Sequence, residues 1–374
     1  SHKLVVQPIH NCKSFYFVHY KSKEAKTMFK YGQMNRRQCL QSIGMLGCGL
    51  LASPMILAGP ARAGLEPKLQ ESKKTLPLMG TLVSITVLDS SLDKACQAQE
   101  KAFSRMKELI SIFDRHNSAT PISYLNEHGH LQDVHPDLLT VLRSSEKYYS
   151  LSEGSFDITI LPLLERNQKL YSPGAAQVGT SATKHKDLCV GSDYLEYSPK
   201  FVRFLKEDMQ ISMDGIAKGF IVDQAIYCLK EQGIDYALIE AGGDIRTIGN
   251  PKGQKTWKVG ITDPWNKDGY VQILNLENGA LATSGSYQRF FDTAQKHHHL
   301  IDSESGESPG HTVSCSVAAP TALEADALST ALFVKPPQKS LALANRLHNI
   351  EACLISPQGK LFSSRGWKSF TGKS

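Results

Sequence analysis

Residues 212–249 constrain the fold of this 374-residue chain more than any other stretch. Apolar residues recur at helical spacing from 217 to 232, which predicts an amphipathic helix with one face in a core. Gly233 follows at the position where a helix C-cap favours positive φ. Residues 236–240 then predict a strand that ends at Gly242 and Gly243, where the lack of Cβ atoms lets the chain pass close to another group.

The start of that helix combines four residues that suit an anion, namely Asp214, Gly215, Lys218 and Gly219. Free backbone N–H groups and the helix dipole favour negative charge at this point. A lysine in the first turn opposes the dipole and therefore needs an anionic partner, such as a phosphate. A solvated lysine at an ordinary helix start is the alternative, and the stretch alone leaves both open.

Charge and composition exclude one class of partner. The formal net charge is +6, and the basic residues crowd the first 40 positions. The rest of the chain has no basic stripe interleaved with aromatic residues, so we expect no nucleic-acid partner. The length fits one large domain or two lobes.

The N-terminal region has the pattern of an export signal. Met34 is the predicted start, and residues 1–33 are predicted to lie outside the native product. Arg36 and Arg37 precede an apolar run at 43–58 and an Ala-x-Ala site at 61–63, which together predict a twin-arginine signal peptide over 34–63. We therefore expect the twin-arginine export machinery as a partner and a polar linker over 64–76. The expected location is the periplasm, with or without association with the inner membrane.

Helices and mostly antiparallel strands alternate in the remaining sequence without a regular βαβ repeat, which predicts an α+β fold. Residues 279–286 are predicted to form a turn of small residues, and Arg289 to begin a strand. No glycine pattern of a Rossmann unit or a P-loop is present.

A carboxylate and a hydroxyl are predicted to share one face of a helix over 322–333. Asp326 and Thr330 are four residues apart there, and both offer hard oxygen ligands suited to Mg²⁺. A solvated helix face is the alternative. Three histidines at 297–299 cannot all point to one side of a strand, so a single histidine acting as proton acceptor is favoured over a metal site. Asp157 and Asp244 follow flexible backbone, where each has turn capping as its alternative role.

Seven motifs occur in a fixed order along the chain: MGT (79–81), GSFDITILPL (154–163), SMDGIAKG (212–219), EAGGDIR (240–246), ATSGSYQRFF (282–291), HLIDSESG (299–306) and EADALSTALF (324–333). This combination resembles the ApbE family, FAD:protein FMN transferases, over residues 77–374. The resemblance implies a two-lobed fold of mixed, mostly antiparallel sheets flanked by helices, with FAD in the cleft between the lobes.

The resemblance also implies an activity and a site. Such enzymes bind FAD with Mg²⁺, cleave its pyrophosphate and attach FMN to a threonine of a target flavoprotein, releasing AMP. The implied catalytic residues are His299, Lys218 and Asp326, and the implied Mg²⁺ ligands are Gly215, Asp326 and Thr330. The residues expected to contact FAD are Met79, His116, Ser155, Phe156, Asp157, Ser212, Asp214, Lys218, Gly242, Gly243 and His299.

Three departures from the family pattern leave alternatives open. Ser212 stands where the family usually has an acidic or amide residue, and Asp214 where glycine is common. His116 stands where transferases often carry a tyrosine, so an FAD pyrophosphatase giving FMN and AMP is the alternative enzyme, and a non-catalytic periplasmic FAD-binding protein the alternative class. Residues 178–183 resemble the family's acceptor motif without its leading aspartate, which makes self-flavinylation of Thr183 a hypothesis beside an external acceptor in a membrane redox complex or a secreted flavoprotein.

Overall fold

An antiparallel sheet of eight strands carries most of the other elements of this protein. The computed structural model describes residues 68–174, 188–249, 256–266 and 268–371. Residues 1–33, the predicted signal peptide at 34–63 and the motif at 178–183 lie outside these ranges. Within them, no helix is both long and apolar enough to cross a bilayer.

The described residues form thirteen strands and seven α-helices. The strands are β1 (Gln70–Leu78), β2 (Thr81–Asp89), β3 (His130–Gln132), β4 (Leu195–Tyr197), β5 (Phe201–Phe204), β6 (Tyr236–Ala241), β7 (Asp244–Ile248), β8 (Trp257–Thr262), β9 (Tyr270–Leu276), β10 (Ala280–Gly285), β11 (Ser314–Ala319), β12 (Glu351–Ile355) and β13 (Leu361–Ser363). The helices are α1 (Leu92–Phe113), α2 (Pro121–His128), α3 (Pro136–Leu151), α4 (Leu161–Tyr171), α5 (Ala217–Glu231), α6 (Ala322–Val334) and α7 (Pro337–Ala344).

The large sheet has the order β1-β2-β6-β7-β10-β11-β12-β13, and each neighbouring pair is antiparallel. Strands β3, β5 and β4 make a small second sheet, and β8 and β9 form a separate hairpin. The predicted α+β class is confirmed. The described residues from Leu69 to Thr371 belong to one compact unit.

The two faces of the sheet bury different cores. Val83, Ile85 and Val87 of β2 point into the larger core, which the sheet shares with α1, α5 and α6. On the opposite face Leu238 packs in a second core that includes Trp257 and other residues of the β8–β9 hairpin. Because successive side chains of a strand point to opposite faces of the sheet, the strands contribute side chains to both cores.

The predicted linker over 64–76 is wrong for residues 70–76, which belong to β1. Strand β1 pairs with β2 along its whole length, from Gln70 opposite Asp89 to Leu78 opposite Thr81. Its composition is polar because it is an edge strand, where lysines and Pro77 discourage pairing with another chain. Because β1 is mostly polar, the alternation of apolar and polar residues that predicts a strand is not visible in its sequence.

The predicted small-residue turn at 279–286 is also wrong, because residues 280–285 form the central strand β10. Its side chains are small because α6 packs directly on it: Ser284 Oγ lies 2.7 Å from Ser329 Oγ of α6. The strand predicted from Arg289 is reduced to a single bridge between Phe290 and His298.

Helices α5 and α6 cap each other. Asp223 of α5 accepts hydrogen bonds from the first two amides of α6, Ala322 N and Leu323 N, at 2.9 Å each. In return, Asp326 Oδ2 of α6 accepts a hydrogen bond from Gly219 N in the first turn of α5, at 3.0 Å. Each carboxylate therefore satisfies amides that have no partner within their own helix, and each lies at the positive end of a helix dipole.

Glu240 of β6 is a buried carboxylate on the hairpin side of the sheet, opposite Ser84 of β2. Burial raises the pKa of Glu240 to about 7, and the charge of Lys73 opposes this only in part. The raised pKa means that the folded protein holds a proton which the unfolded chain releases near the ordinary value of 4.5.

We expect Gly219→Ala to destabilise the protein by about 1–3 kcal/mol, although alanine favours helices, because it overpacks a closed contact. A Cβ at this position would lie 2.3 Å from the carbonyl oxygen of Ala322. Urea unfolding at constant m-value measures the change. Gly310→Ala is the matched control, since a Cβ there meets nothing within 4 Å. An unchanged urea midpoint for Gly219→Ala would contradict the close helix contact.

Glu240 makes the free energy of unfolding fall as pH rises from about 4.5 to about 7, because the folded state binds more protons in this window. We expect Glu240→Gln to exceed the wild type in stability at pH 8 by about 1–3 kcal/mol, and the difference to vanish near pH 4. Chemical denaturation at the two pH values measures it, with the exposed Glu277→Gln as control. A difference that does not depend on pH would refute the role of Glu240.

Candidate active site

The ends of several elements meet at one end of the large sheet and enclose a cavity of about 620 Å³. Its wall consists of the β1–β2 turn, the β6–β7 turn, the last turn of α1, the first turn of α5 and residues that follow β10. Five of the predicted site residues line this cavity: Met79, His116, Asp214, Lys218 and Gly242.

Two tight turns bring backbone to the cavity. Met79 and Gly80 connect β1 to β2 with φ of 52° and 69°, and Gly242 and Gly243 connect β6 to β7 with φ of 59° and 106°. Two successive positive φ angles suit the two-residue turns that match the twist of antiparallel strands. A Cβ on Gly242 would lie 2.6 Å from Thr81 Oγ1, so the predicted close approach at this glycine is to the neighbouring turn.

The anionic partner expected for Lys218 is present within the protein. Lys218 Nζ lies 2.9 Å from Asp244 Oδ2, and Asp244 is fully buried at the start of β7. Burial raises the pKa of Asp244, and the ammonium of Lys218 acts in the opposite direction. The carboxylate therefore does more than cap a turn: it holds the ammonium of Lys218 at the cavity wall.

Gly215, Asp326 and Thr330 come together beside the first turn of α5. Asp326 Oδ2 accepts the hydrogen bond from Gly219 N, and a Cβ on Gly215 would lie 3.2 Å from Thr330 Oγ1. Burial and the nearby Asp244 raise the pKa of Asp326. The surroundings of this carboxylate therefore contain too little positive charge to offset its burial. Within the described ranges no three His, Cys, Asp or Glu side chains form a metal cluster. The all-oxygen set fits Mg²⁺, which accepts few protein ligands when phosphates complete its shell.

His299 is partly buried and has a defined tautomer. Its Nδ1 lies 3.2 Å from the carbonyl oxygen of Arg289, and a carbonyl only accepts, so Nδ1 carries the proton and Nε2 keeps its lone pair. Burial lowers the pKa of His299 to about 4; Asp214 opposes the shift, whereas Arg289 and Lys218 add to it. The imidazole is neutral at pH 7 and able to accept a proton.

The other two histidines of the triplet hold the loop together. His297 stacks on Tyr171 with ring centroids 3.4 Å apart. His298 is buried edge-to-face against Phe333, and its Nε2 donates to the carbonyl of Pro309 at 3.2 Å. Within the described residues the three histidines therefore form no common metal cluster.

Asp157 does not line the cavity. Its Oδ1 accepts hydrogen bonds from Thr159 N, Thr159 Oγ1 and Ser192 Oγ at 2.7–2.9 Å, and it caps the short 3-10 helix that precedes α4. Burial raises the pKa of Asp157, and these hydrogen bonds oppose the shift. The structure therefore shows the turn-capping role of Asp157, and its contact with FAD stays a prediction.

Ser155, Phe156, Ser212 and Gly243 also lie outside the cavity wall. Phe156 packs against the candidate metal site, since its Cε2 lies 3.3 Å from the position that a Cβ on Gly215 would occupy. Ser212 Oγ accepts a hydrogen bond from the backbone N–H of Asp214 at 3.2 Å, so it shapes the turn that presents Asp214.

Sequence reasoning missed Arg115, which lines the cavity beside His116. Arg115 Nε and Nη2 each lie 3.2 Å from Asp214 Oδ2. In the sequence Arg115 is marked only by its position next to His116. His116 itself is exposed and donates its backbone N–H to Asp114 Oδ1 at 2.9 Å. Tyr287 and Gln288, just after β10, also line the cavity and were not predicted.

A larger cavity, of about 1250 Å³, lies between α2, α4 and the segment after β5. None of the predicted site residues lines it, and its charged residues are of both signs. Size alone therefore does not mark the site, and the chemical groups described above point to the smaller cavity.

Comparisons with known proteins find relatives over most of the chain. Residues 79–354 match the model of the ApbE family. The FAD:protein FMN transferase of Treponema pallidum is 26% identical over 349 residues, which span 87% of this chain and 93% of that protein. The FAD:protein FMN transferase of Salmonella typhimurium is 26% identical over 351 residues, spanning 89% and 95% respectively.

Two solved structures share the fold. The flavin transferase ApbE from Vibrio cholerae superposes with a TM-score of 0.69 at 23% identity, covering 81% of this chain and 99% of that one. The ApbE protein from Thermotoga maritima superposes with a TM-score of 0.70 at 24% identity, covering 81% and 100%.

Proposed function

This chain belongs to the ApbE family, and on that basis we propose that it is an Mg²⁺-dependent FAD:protein FMN transferase. Curated relatives named FAD:protein FMN transferase align over most of the chain. Lys218 lines the cavity, and the candidate metal ligands Asp326 and Thr330 lie behind its wall, beside the first turn of α5. FAD is the first substrate, and a threonine hydroxyl of a target flavoprotein is the second.

The observation that carries the proposal is the state of His299. Its Nδ1–H is committed to the Arg289 carbonyl and its pKa is lowered to about 4, so Nε2 is a vacant acceptor at neutral pH. Arg289, whose carbonyl His299 contacts, directly follows Gln288 of the cavity wall, so the imidazole lies next to the cavity. A neutral imidazole in this position suits a base that deprotonates a hydroxyl attacking a phosphate.

The groups at the first turn of α5 would neutralise the negative charge of the pyrophosphate. Lys218, held by Asp244, places an ammonium at the cavity wall. Asp326, Thr330 and the Gly215 carbonyl would hold Mg²⁺, which when bound neutralises phosphate charge and polarises the phosphorus. Transfer of this kind depends mainly on positioning and electrostatic stabilisation, so these groups with one base suffice.

The proposed reaction balances without a further reactant. The threonine oxygen forms a bond to the phosphorus of the FMN half, and the bond from that phosphorus to the AMP half breaks. AMP leaves with the electron pair, and the hydroxyl proton passes to His299 Nε2. The product carries FMN on threonine through a phosphoester bond.

Hydrolysis of FAD to FMN and AMP is the second candidate. His116 is exposed at the cavity, at the position where transferases often carry a tyrosine, and an open position there admits water. A protein that only bound FAD would not require a metal site, so the candidate ligand pair Asp326 and Thr330 argues against a non-catalytic role.

We place the reaction in the periplasm. The predicted twin-arginine signal over 34–63 supports export of the folded protein by the twin-arginine machinery. The acceptor would then be a subunit of a membrane redox complex or a secreted flavoprotein.

Incubation of the protein with FAD, Mg²⁺ and a fragment carrying a threonine flavinylation motif tests the function. We expect FMN on the fragment by intact mass, with AMP released. His299→Gln should slow transfer by about 100-fold or more and keep FAD binding, because a general base contributes that much. His297→Gln, the neighbouring control, should retain transfer.

AMP and free FMN with an unlabelled fragment would establish the hydrolase instead. Labelling of the chain itself would identify Thr183 as an acceptor, and FAD binding with neither product would overturn both enzyme assignments.

The metal assignment predicts that Asp326→Asn removes the Mg²⁺-dependent part of the rate while the protein stays folded. Asparagine still offers an oxygen to Gly219 N, so the helix cap survives, but it supplies no charge to the ion. Mg²⁺ titration of the transfer rate measures the effect. Glu324→Gln, on the same helix, is the control and should titrate as the wild type does. If Asp326→Asn retains the Mg²⁺ dependence of the transfer rate, Asp326 is not a ligand of the ion.

A further inference from the structure

We infer that Arg115 binds the pyrophosphate of FAD and that Asp214 holds it ready for this contact. The inference rests on the proposed function, which supplies FAD as substrate. Arg115 is the second cationic side chain on the wall of the 620 Å³ cavity, in addition to Lys218.

Burial sets Arg115 apart from a surface arginine. Its side chain is 10% exposed, whereas that of its partner Asp214 is 59% exposed. The guanidinium therefore lies within the wall, and the carboxylate closes over it from the solvent side. An exposed ion pair contributes at most about 1 kcal/mol, so fold stability alone gives little reason to bury this arginine.

The ion pair leaves part of the guanidinium available. Nε and Nη2 both point to a single oxygen, Asp214 Oδ2, at 3.2 Å. A guanidinium has five N–H donors in a planar fork, and phosphate oxygens match this fork in bidentate geometry. Phosphate can thus replace or join the carboxylate without moving the backbone.

Hydrogen bonds from two side chains at the start of α2 fix the loop that carries Arg115. Ser123 Oγ donates to the Arg115 carbonyl at 3.0 Å, and Thr120 Oγ1 donates to the Asp114 carbonyl at 2.8 Å. Both donors belong to the start of α2 and its cap, so the helix fixes the loop. Such preorganisation lowers the entropy that ligand binding costs.

Charge matching points to the pyrophosphate as the ligand. Each cation of the wall is paired with one carboxylate, Lys218 with Asp244 and Arg115 with Asp214. The two phosphates of FAD carry two negative charges, one for each cation. Asp214, exposed and at the rim, is the carboxylate that can give way.

Equilibrium binding of FAD and of riboflavin, followed by flavin fluorescence, tests the role of Arg115. We expect Arg115→Gln to weaken FAD binding by about 10- to 100-fold, as loss of a charged hydrogen bond does, and to leave riboflavin binding unchanged. Asp214→Asn should instead bind FAD as tightly as the wild type or more tightly, because it releases the guanidinium. Raising the salt concentration should weaken FAD binding less in Arg115→Gln than in the wild type.

A purely structural ion pair would give a different pattern. Arg115→Gln and Asp214→Asn would then lower the urea midpoint together and change FAD binding in the same direction. Arg105→Gln is the matched control, since Arg105 of the preceding helix α1 pairs with Asp137 at 2.7 Å and does not line the cavity.

Equal FAD affinity in wild type and Arg115→Gln overturns the role of Arg115 and leaves the transferase intact. Absence of FAD binding in the wild type overturns the transferase itself.

Discussion

The exchange of caps between α5 and α6 is the interaction on which the rest of this structure depends. Asp223 of α5 binds the first amides of α6, and Asp326 of α6 binds an amide in the first turn of α5. Each carboxylate is buried, so removing either partner would leave unsatisfied amides and an unpaired charge in the core. The two helices cross closely at Gly219, where only a glycine leaves room for the Ala322 carbonyl.

This crossing also builds the site. It places the start of α5, and with it Lys218, beside the α6 face that carries Asp326 and Thr330. The cost is a group of buried carboxylates whose pKa values are raised because water cannot solvate them. A site that needs positive charge in this way is suited to a metal and a diphosphate together, since the substrate brings the ion and the ion relieves the carboxylates.

The two helices that carry the candidate site were predicted accurately because each prediction depended on local spacing. Asp326 and Thr330 lie on one helix with the predicted four-residue separation, and the helix beginning at Ala217 is present. Asp157 shows the limit of such reasoning, because a carboxylate after a flexible turn serves a cap and a ligand equally well in sequence. The contacts with Thr159 and Ser192, which show the cap, exist only in the folded protein.

The sequence by itself determined the family, the α+β class, the positions of most helices and strands, and the residue types that can carry phosphate chemistry. These follow from periodicity, glycine placement and motif order, which are properties of neighbours along the chain. The tertiary structure alone decided that β1 is an edge strand, that Asp244 holds Lys218 and that Arg115 faces the same cavity. Arg115 and Asp214 are 99 residues apart, and no local pattern encodes a contact that exists only when two distant loops meet at one end of a sheet.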